Sequence, residues 1–355
     1  MHPPSHPLAR FALWPASVLY GRLAHWRVEA YRRGWRRSVS LPVPVISVGN
    51  LTVGGTGKTP LVAAIATMLE AGGRRVGIIS RGYGRSGGEV RVVSLGDGTG
   101  PRLGARQAGD EPRLLAEALP GCIVVVGADR AEAGRVAIAA GGAEVIIADD
   151  AFQHLRLDRT LNLLAVDATN PFAAGWLLPA GGLREPIAAA RRADAVIVTR
   201  CDRIGETINL EARLSRLRPG LPFFHAITRP LLLRGPGGVT AAVEGLAGQK
   251  IAAFSGIARP RFFLQDLERA GARLAAFLPF PDHHWYRDAD LEAITRRARE
   301  AGAERLVTTH KDLVRLTAAQ REALAVWCLE VGVEFWDDRR FRQFLAGRVG
   351  REAAA

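Results

Sequence analysis

The most chemically suggestive stretch of this chain is Thr52-Val53-Gly54-Gly55-Thr56-Gly57-Lys58-Thr59. Its glycines let consecutive backbone N–H groups curl around one anion, and a helix opening behind them turns its positive end toward the same charge. In such a loop Lys58 reaches the β- and γ-phosphates of a nucleotide, and the Thr59 hydroxyl ligates Mg²⁺. The strict pattern has glycine where Thr52 stands, and Gly54-Gly55 supply the flexibility two residues later. Residues 52–59 are therefore expected to cradle a nucleoside triphosphate.

Other groups belong with that loop. Val145-Ile-Ile-Ala-Asp149-Asp150 is an apolar run ending in acids, which suits a strand that delivers a carboxylate to a metal at the sheet's carboxyl edge. Adjacent residues of a strand face opposite ways, so one of Asp149 and Asp150 is expected to bind metal directly. Gly109-Asp110-Glu111-Pro112 precedes a helical stretch, and two readings stand: an N-cap, or a base for an attacking hydroxyl. Phe280-Pro281-Asp282-His283-His284 places a carboxylate beside an imidazole, as a base or a metal ligand needs, although surface histidines without a role are common. Val196-Ile-Val-Thr199-Arg200-Cys201-Asp202 is similar to the base-reading strand of GTPases, with Arg for Lys. The glycine that a GTPase switch places three residues after its acid is missing from Ala151-Phe152-Gln153.

Short β-branched runs alternate with helical stretches around these groups. Strands are expected at Val43–Val48, Val76–Ser80, Ile123–Val126, Val145–Ala148, Leu161–Val166 and Ala195–Thr199, and helices at Thr59–Ala71 and Asp110–Leu119. That rhythm predicts a parallel sheet covered by helices. Pro and Gly cluster over residues 205–245, which reads as a linker with extended strands. Strands at Ile251–Ser255 and Leu306–Thr309, with helices at Arg261–Ala270 and Leu291–Ala301, then form a second α/β unit. The expected class is α/β: an N-terminal amphipathic helix (1–40), a P-loop core with a parallel sheet (41–205), linker strands (206–245) and a smaller α/β domain (246–345).

The chain has 355 residues, enough for two cores, and a net charge of +13. Seven arginines and a single acid, Glu29, fall in the first forty residues. Trp14, Tyr20, Trp26 and Trp35 accompany them, and Leu19, Leu23, Trp26 and Ala30 recur at helical spacing. A basic, aromatic, amphipathic helix suits an anionic membrane surface, and it also suits packing on the domain core. No run of 18 uncharged apolar residues occurs, and no cleavable leader is evident, so neither a membrane span nor a secretory signal is expected. Cys122, Cys201 and Cys328 are too far apart in sequence for a zinc or disulfide framework, which fits a reducing cytosol. A basic protein could also bind nucleic acid, but here the charge gathers beside the N-terminal tryptophans and not along the sheet domain. No nucleic-acid partner and a monomeric chain are expected.

Six motifs, taken in order, carry a resemblance to a known family: residues 50–60 (Asn-Leu-Thr-Val-Gly-Gly-Thr-Gly-Lys-Thr-Pro), Arg81-Gly-Tyr-Gly-Arg85, Gly109-Asp-Glu-Pro112, Asp149-Asp-Ala-Phe-Gln-His154, Gly182-Leu-Arg-Glu-Pro186 and Asp282-His283. Together they closely resemble the tetraacyldisaccharide 4′-kinase family of lipid A biosynthesis, from the N-terminal helix to about Asp312. The resemblance implies transfer of the ATP γ-phosphate to the 4′-hydroxyl of an acylated glucosamine disaccharide 1-phosphate. It also implies Mg²⁺ and a peripheral site at the cytoplasmic face of the bacterial inner membrane. It gives Asp110 the role of catalytic base with His283 pairing to it and tuning it, places Asp149 and Asp150 near Mg²⁺, and sets Arg130, His154, Arg184 and Glu185 around the disaccharide and phosphates. Ala151 stands where glycine is usual, and His310 lies in a segment that usually reads Thr-Glu-Lys-Asp. On the residues alone, a P-loop GTPase or ATPase switch, or an insertion factor, is the alternative.

Overall fold

A computed structural model of the chain describes residues 7–203 and 208–350. Helix α1 (Pro7–Arg32) is continuous through Pro15. The first strand, β1 (Val45–Gly49), begins after Pro44, later than expected, because Pro44 lacks the N–H a central strand needs. Then follow α2 (Lys58–Ala71), β2 (Val76–Ser80), β3 (Arg91–Leu95), α3 (Ala105–Ala108), α4 (Asp110–Ala118), β4 (Ile123–Val126), α5 (Arg130–Gly141), β5 (Val145–Asp149), β6 (Leu161–Asp167) and β7 (Ala195–Thr199).

Side by side these strands run β7-β6-β1-β5-β2-β4-β3, all parallel except the edge strand β3. Strands β1, β2, β4, β5, β6 and β7 are buried at every position. That is why they read as unbroken Val/Ile/Leu runs: both faces are covered. On one face Ile46, Val48, Ile78, Ile147 and Leu163 pack against Leu61 and Ile65 of α2 and Leu115 of α4. On the other, Val45, Ile79, Ile123 and Ile146 pack against Ala133 and Ala137 of α5. Parallel strands deliver their carboxyl ends to one edge, where open α/β sheets bind ligands.

The rest of the chain is α6 (Ile208–Leu217), β8 (Phe223–Arg234), β9 (Thr240–Ala241), β10 (Lys250–Ser255), α7 (Pro260–Arg269), β11 (Arg273–Pro279), α8 (Asp288–Glu300), β12 (Arg305–Thr309), α9 (His310–Leu313), α10 (Ala318–Ala323), β13 (Trp327–Phe335) and α11 (Asp338–Val349). The 206–245 segment thus holds helix α6 as well as extended strand. Strand β8 pairs in parallel with β7 through Phe223–Ala226, and antiparallel with β13 through Ala226–Arg234. This long ribbon continues the sheet into β13-β12-β10-β11. Helix α11 returns to the first half, placing Phe341, Leu345 and Val349 in the core beside Leu61 and Ile65. Among the described residues no helix is long and apolar enough to cross a membrane.

Candidate active site

The P-loop follows β1, and α2 opens on Lys58. Its N-cap, Gly57, is left-handed at φ 79°, a backbone region open to glycine without strain. Lys58 Nζ donates to Asn50 Oδ1 at 2.9 Å and lies 3.3 Å from Asp150 Oδ1. Asn50 in turn donates its amide to the Thr52 carbonyl at 2.7 Å, so the residue just after β1 props the start of the loop and aims the lysine. Sequence reasoning assigned Asn50 no role; its place at a strand's carboxyl end was the available signal.

Two residues of the GTPase-like segment hold the loop's other side. Thr199 Oγ1 donates to the Thr56 carbonyl at 2.9 Å. Arg200, left-handed at φ 58°, donates to the Gly55 carbonyl at 2.9 Å and also pairs with buried Asp167. Arg259, from the second half, pairs with the same Asp167 oxygen. These residues are committed to the loop and to one another, which departs from reading a nucleotide base.

Asp149 ends β5 in register with Val48, two residues before Asn50. It is fully buried; Ser80 Oγ donates to its Oδ2 at 3.2 Å, and its Oδ1 has no hydrogen-bond partner. Burial, reinforced by the charges of Glu111 and Asp150, pushes its carboxyl up to about 7. Asp150 differs sharply. It is left-handed at φ 49°, and Arg184 Nη1 donates to both its oxygens at 2.9 and 2.8 Å. Burial opposes its ionisation, but Lys58 and Arg184 more than compensate, so it sits well below the usual carboxylate range. The adjacent acids therefore differ: Asp150 has its charge matched, and Asp149 is buried with an oxygen to spare.

That spare oxygen fits a cation. Among the described residues no three His, Cys, Asp or Glu side chains converge to hold a metal. Such a sparse donor set suits Mg²⁺, which keeps waters and leans on nucleotide phosphates with one or two carboxylates.

Helix α4 begins at Asp110. Gly109 before it has φ 90°, and a Cβ there would lie 2.9 Å from Gly82 Cα, so only glycine lets the 81–85 loop close on the helix start. Asp110 is buried. Its Oδ1 accepts the Glu111 N–H at 2.9 Å; its Oδ2 takes His283 Nδ1 at 2.8 Å and Arg315 Nε at 3.1 Å. Lys311 Nζ lies 3.1 Å from Glu111 Oε1 and 4.0 Å from Asp110. Burial opposes ionisation of Asp110, but the His283 hydrogen bond and the charges of Lys311 and Arg315 outweigh it, leaving the carboxyl well below its usual range. His283 is left-handed at φ 61°, and its ring lies 5.4 Å from that of Tyr83. Non-glycine residues in this region cost about 1–3 kcal/mol each and gather at functional sites. Asp150, Arg200 and His283 are three of the five such residues among those described.

A cleft of about 1660 Å³ joins these groups. Gly54–Thr59, Asp150 and Arg184 line it from one half of the chain, His283 and Lys311 from the other, with Tyr20 of α1 and Tyr83. Asp110 and Asp149 are not on the wall; their neighbours His283 and Asp150 are. Of the other expected substrate residues, Arg184 lines the cleft, whereas Arg130, His154 and Glu185 do not. Arg130 is buried with its Nε unpartnered, and burial pulls its pKa down to about 10. His154 Nε2 is also buried without a partner; burial and then Arg130 lower its pKa to about 4, so it is neutral at pH 7. Glu185 accepts from Arg192 at 2.5 Å and from Gln153 at 3.4 Å.

Comparison with known proteins bears on this arrangement. Residues 9–350 match the family model described as tetraacyldisaccharide-1-P 4′-kinase. A tetraacyldisaccharide 4′-kinase from Pelobacter propionicus is 46% identical over 314 residues, covering 87% of this chain and 84% of that protein. One from Geobacter sulfurreducens is 46% identical over 312 residues, covering 88% and 85%. The crystal structure of an "apo" form of LpxK from Aquifex aeolicus, in complex with ATP, is similar with a TM-score of 0.79 and 33% identity, covering 96% of this chain and 99% of that one.

Proposed function

This chain belongs to the tetraacyldisaccharide-1-phosphate 4′-kinase family, and from that premise we propose how its residues divide the work of phosphoryl transfer. The reaction carries the ATP γ-phosphate to the 4′-hydroxyl of a tetraacyldisaccharide 1-phosphate. One observation carries the division: a single cleft has Lys58 on one wall and His283, hydrogen-bonded to Asp110, on another. We take residues 41–205 as the nucleotide unit and 246–345 as the smaller unit, joined through 206–245, with α11 at the end of the smaller unit lending Phe341 and Leu345 to the first unit's core.

Phosphoryl transfer asks for position and charge neutralisation more than covalent chemistry. Lys58 is aimed by Asn50 and moves from Asp150 to the β- and γ-phosphates, while Arg184 continues to match the Asp150 charge. The loop amides take the remaining phosphate oxygens. Thr59 and Asp149 would hold Mg²⁺, with Asp150 beside it, and the ion when bound would neutralise charge developing on the transferred group. The 4′-hydroxyl gives its proton to the Asp110–His283 pair, with His283 as the member facing the cleft. A loose transition state keeps the proton on the attacking oxygen until late, so a well-placed weak base serves. Arg184 is the foremost contact for the sugar. Arg130 and His154, each with an unpartnered nitrogen, and Glu185, which is tied to Arg192, lie off the cleft wall, and we assign them to the outer polar surroundings of the disaccharide and its phosphate. Thr59→Ala and Asp149→Asn are each expected to raise the Mg²⁺ concentration giving half-maximal turnover by about tenfold. A magnesium titration with an unchanged midpoint contradicts the metal assignment.

Helix α1 brings the site to an acylated substrate. One side docks on the body: Ser17 Oγ accepts the Ala180 N–H at 3.0 Å, and Tyr20 Oη donates to the Arg184 carbonyl at 2.9 Å. The other side exposes Phe11, Trp14, Leu19, Leu23 and Trp26, interleaved with Arg22 and Arg27. An apolar stripe fringed by cations suits the interface of an anionic bilayer, here the cytoplasmic face of the inner membrane. Because Tyr20 also lines the cleft, the membrane face and the active site meet on one helix. Replacing Trp14, Leu23 and Trp26 together with Ser is expected to weaken cosedimentation with phosphatidylglycerol-containing vesicles by about tenfold or more without lowering Tm. Undiminished cosedimentation refutes the membrane role.

A further inference from the structure

The Asp110–His283 pair has a third member. Arg315 follows α9, its side chain is 1% exposed, and it reaches across the two halves of the molecule to the start of α4. Its Nε and Nη2 both donate to Asp110 Oδ2, the oxygen that also receives His283 Nδ1. Its Nη1 donates to the Gly256 carbonyl at 2.8 Å and to Asp312 Oδ1 at 3.0 Å. Asp312, itself fully buried, accepts the Gly256 N–H at 2.9 Å and the Tyr286 hydroxyl at 2.8 Å. The guanidinium is therefore fixed by its own surroundings before it meets Asp110. The His283 N–H donates to the Gly256 carbonyl at 3.1 Å, so Arg315 and His283 share that carbonyl as well as the Asp110 oxygen.

We infer that Arg315 is a positioning residue of the phosphoryl transfer: it clamps Asp110 so that His283 presents its other ring nitrogen to the cleft, and it keeps the carboxylate charged. The inference rests on the reading that the Asp110–His283 pair takes the hydroxyl proton. A structural staple would also be buried and paired, and residues 310–321 do hold α4 by other contacts, with His310 3.4 Å and Arg321 3.5 Å from Glu117 and Lys311 3.1 Å from Glu111. Arg315 differs in meeting the acid that His283 meets, on the same oxygen. Two planar donors on one carboxylate oxygen fix its direction as a single ammonium cannot. The titratable and charged groups facing Asp110 are His283, Lys311 and Arg315; Glu111, Asp282 and Asp312 are the acids close by. Removing the one guanidinium therefore shifts the balance of this cluster toward holding a proton.

The test is lipid phosphorylation by the full chain in mixed micelles, measured as kcat against pH, with ATP affinity and Tm measured in parallel for Arg315→Met, Arg315→Lys and Asp110→Asn. Arg315→Met is expected to lower kcat about 100-fold, leave ATP affinity within about threefold, and move the acidic limb of the profile upward by about one pH unit. Arg315→Lys keeps the charge and loses the fork, so the limb is expected to stay in place while kcat falls about tenfold. Should Arg315→Met fail to fold, the lysine variant carries the test, and full kcat there overturns the inference. An unmoved limb in a folded Arg315→Met, or ATP binding lost in step with kcat, also overturns it. If either occurs while Asp110→Asn is inactive, Asp110 keeps its role and only the Arg315 assignment falls. Full turnover by Asp110→Asn removes the reading beneath it.

Discussion

Asp110→Asn is expected to lower kcat by about 10³-fold while ATP affinity stays within about threefold. The asparagine fills the same buried space and can still accept from the Glu111 N–H, which now goes to Asp110 Oδ1 at 2.9 Å. It cannot carry the negative charge that His283, Arg315 and Lys311 converge on. His283 then loses the partner that orients it and would stabilise its protonated form, and the 4′-hydroxyl loses its route for the proton. The nucleotide groups Lys58, Asn50 and Thr199 are held by separate hydrogen bonds, so ATP should still bind. Equal loss of ATP binding and turnover, measured by equilibrium binding and lipid phosphorylation, rules out the base role.

Lys58→Ala is expected to act earlier in the cycle, reducing kcat/KM by about 10³-fold or more and weakening ATP binding as well. Its ammonium is held 2.9 Å from Asn50 Oδ1 and 3.3 Å from Asp150 Oδ1 before the nucleotide arrives. Removing it takes a preorganised cation from the phosphates and also leaves Asp150 with Arg184 as its remaining counter-ion. The second effect would appear as a rise in the Asp150 pKa, and hence a turnover loss that deepens on the acidic side. An ATP affinity and kcat both unchanged in Lys58→Ala contradict the P-loop assignment.

The parts of the fold that read clearly from sequence are those whose burial is complete. Val145–Asp149 and Ala195–Thr199 are continuous apolar runs because helices cover both sheet faces, and the chemistry follows where those runs stop. Edge and ribbon strands read poorly. In β11, three of the seven residues are exposed and no period shows, whereas Leu329–Phe335 of β13 alternates apolar residues with Glu330, Gly332 and Glu334, a period-two signal that stood outside the expected strands. Helix α5 was missed because Arg-Ala-Glu-Ala-Gly-Arg-Val-Ala-Ile-Ala-Ala-Gly buries mostly small residues against the sheet, without a stripe of large ones. Helix α11 lies at the far end of the chain, yet its Phe341 and Leu345 complete the first half's core, a long-range contact that no local pattern encodes.

The site divides the same way. The P-loop and the acids after β5 are local, since strand, turn and helix build them from neighbouring residues. The pairing of Asp110 with His283 spans 173 positions, and that of Asp110 with Arg315 spans 205. Family resemblance supplied the first as an expectation, and nothing in the sequence pointed to the second. Residue type alone also misplaced emphasis: Arg200 looks like a base reader in its motif, but in the fold its guanidinium is spent on Gly55 and Asp167. Glu185, which the family resemblance and not its residue type sets near the substrate, is buried against Arg192.

The most direct test of the account is transfer of ³²P from γ-labelled ATP to purified tetraacyldisaccharide 1-phosphate in mixed micelles, run with the wild-type chain, Lys58→Ala and Asp110→Asn side by side. A labelled lipid is expected with the wild type alone, and retained ATP binding in Asp110→Asn. Phosphate released at the same rate whether or not the lipid is present, with no label on it, would contradict the account.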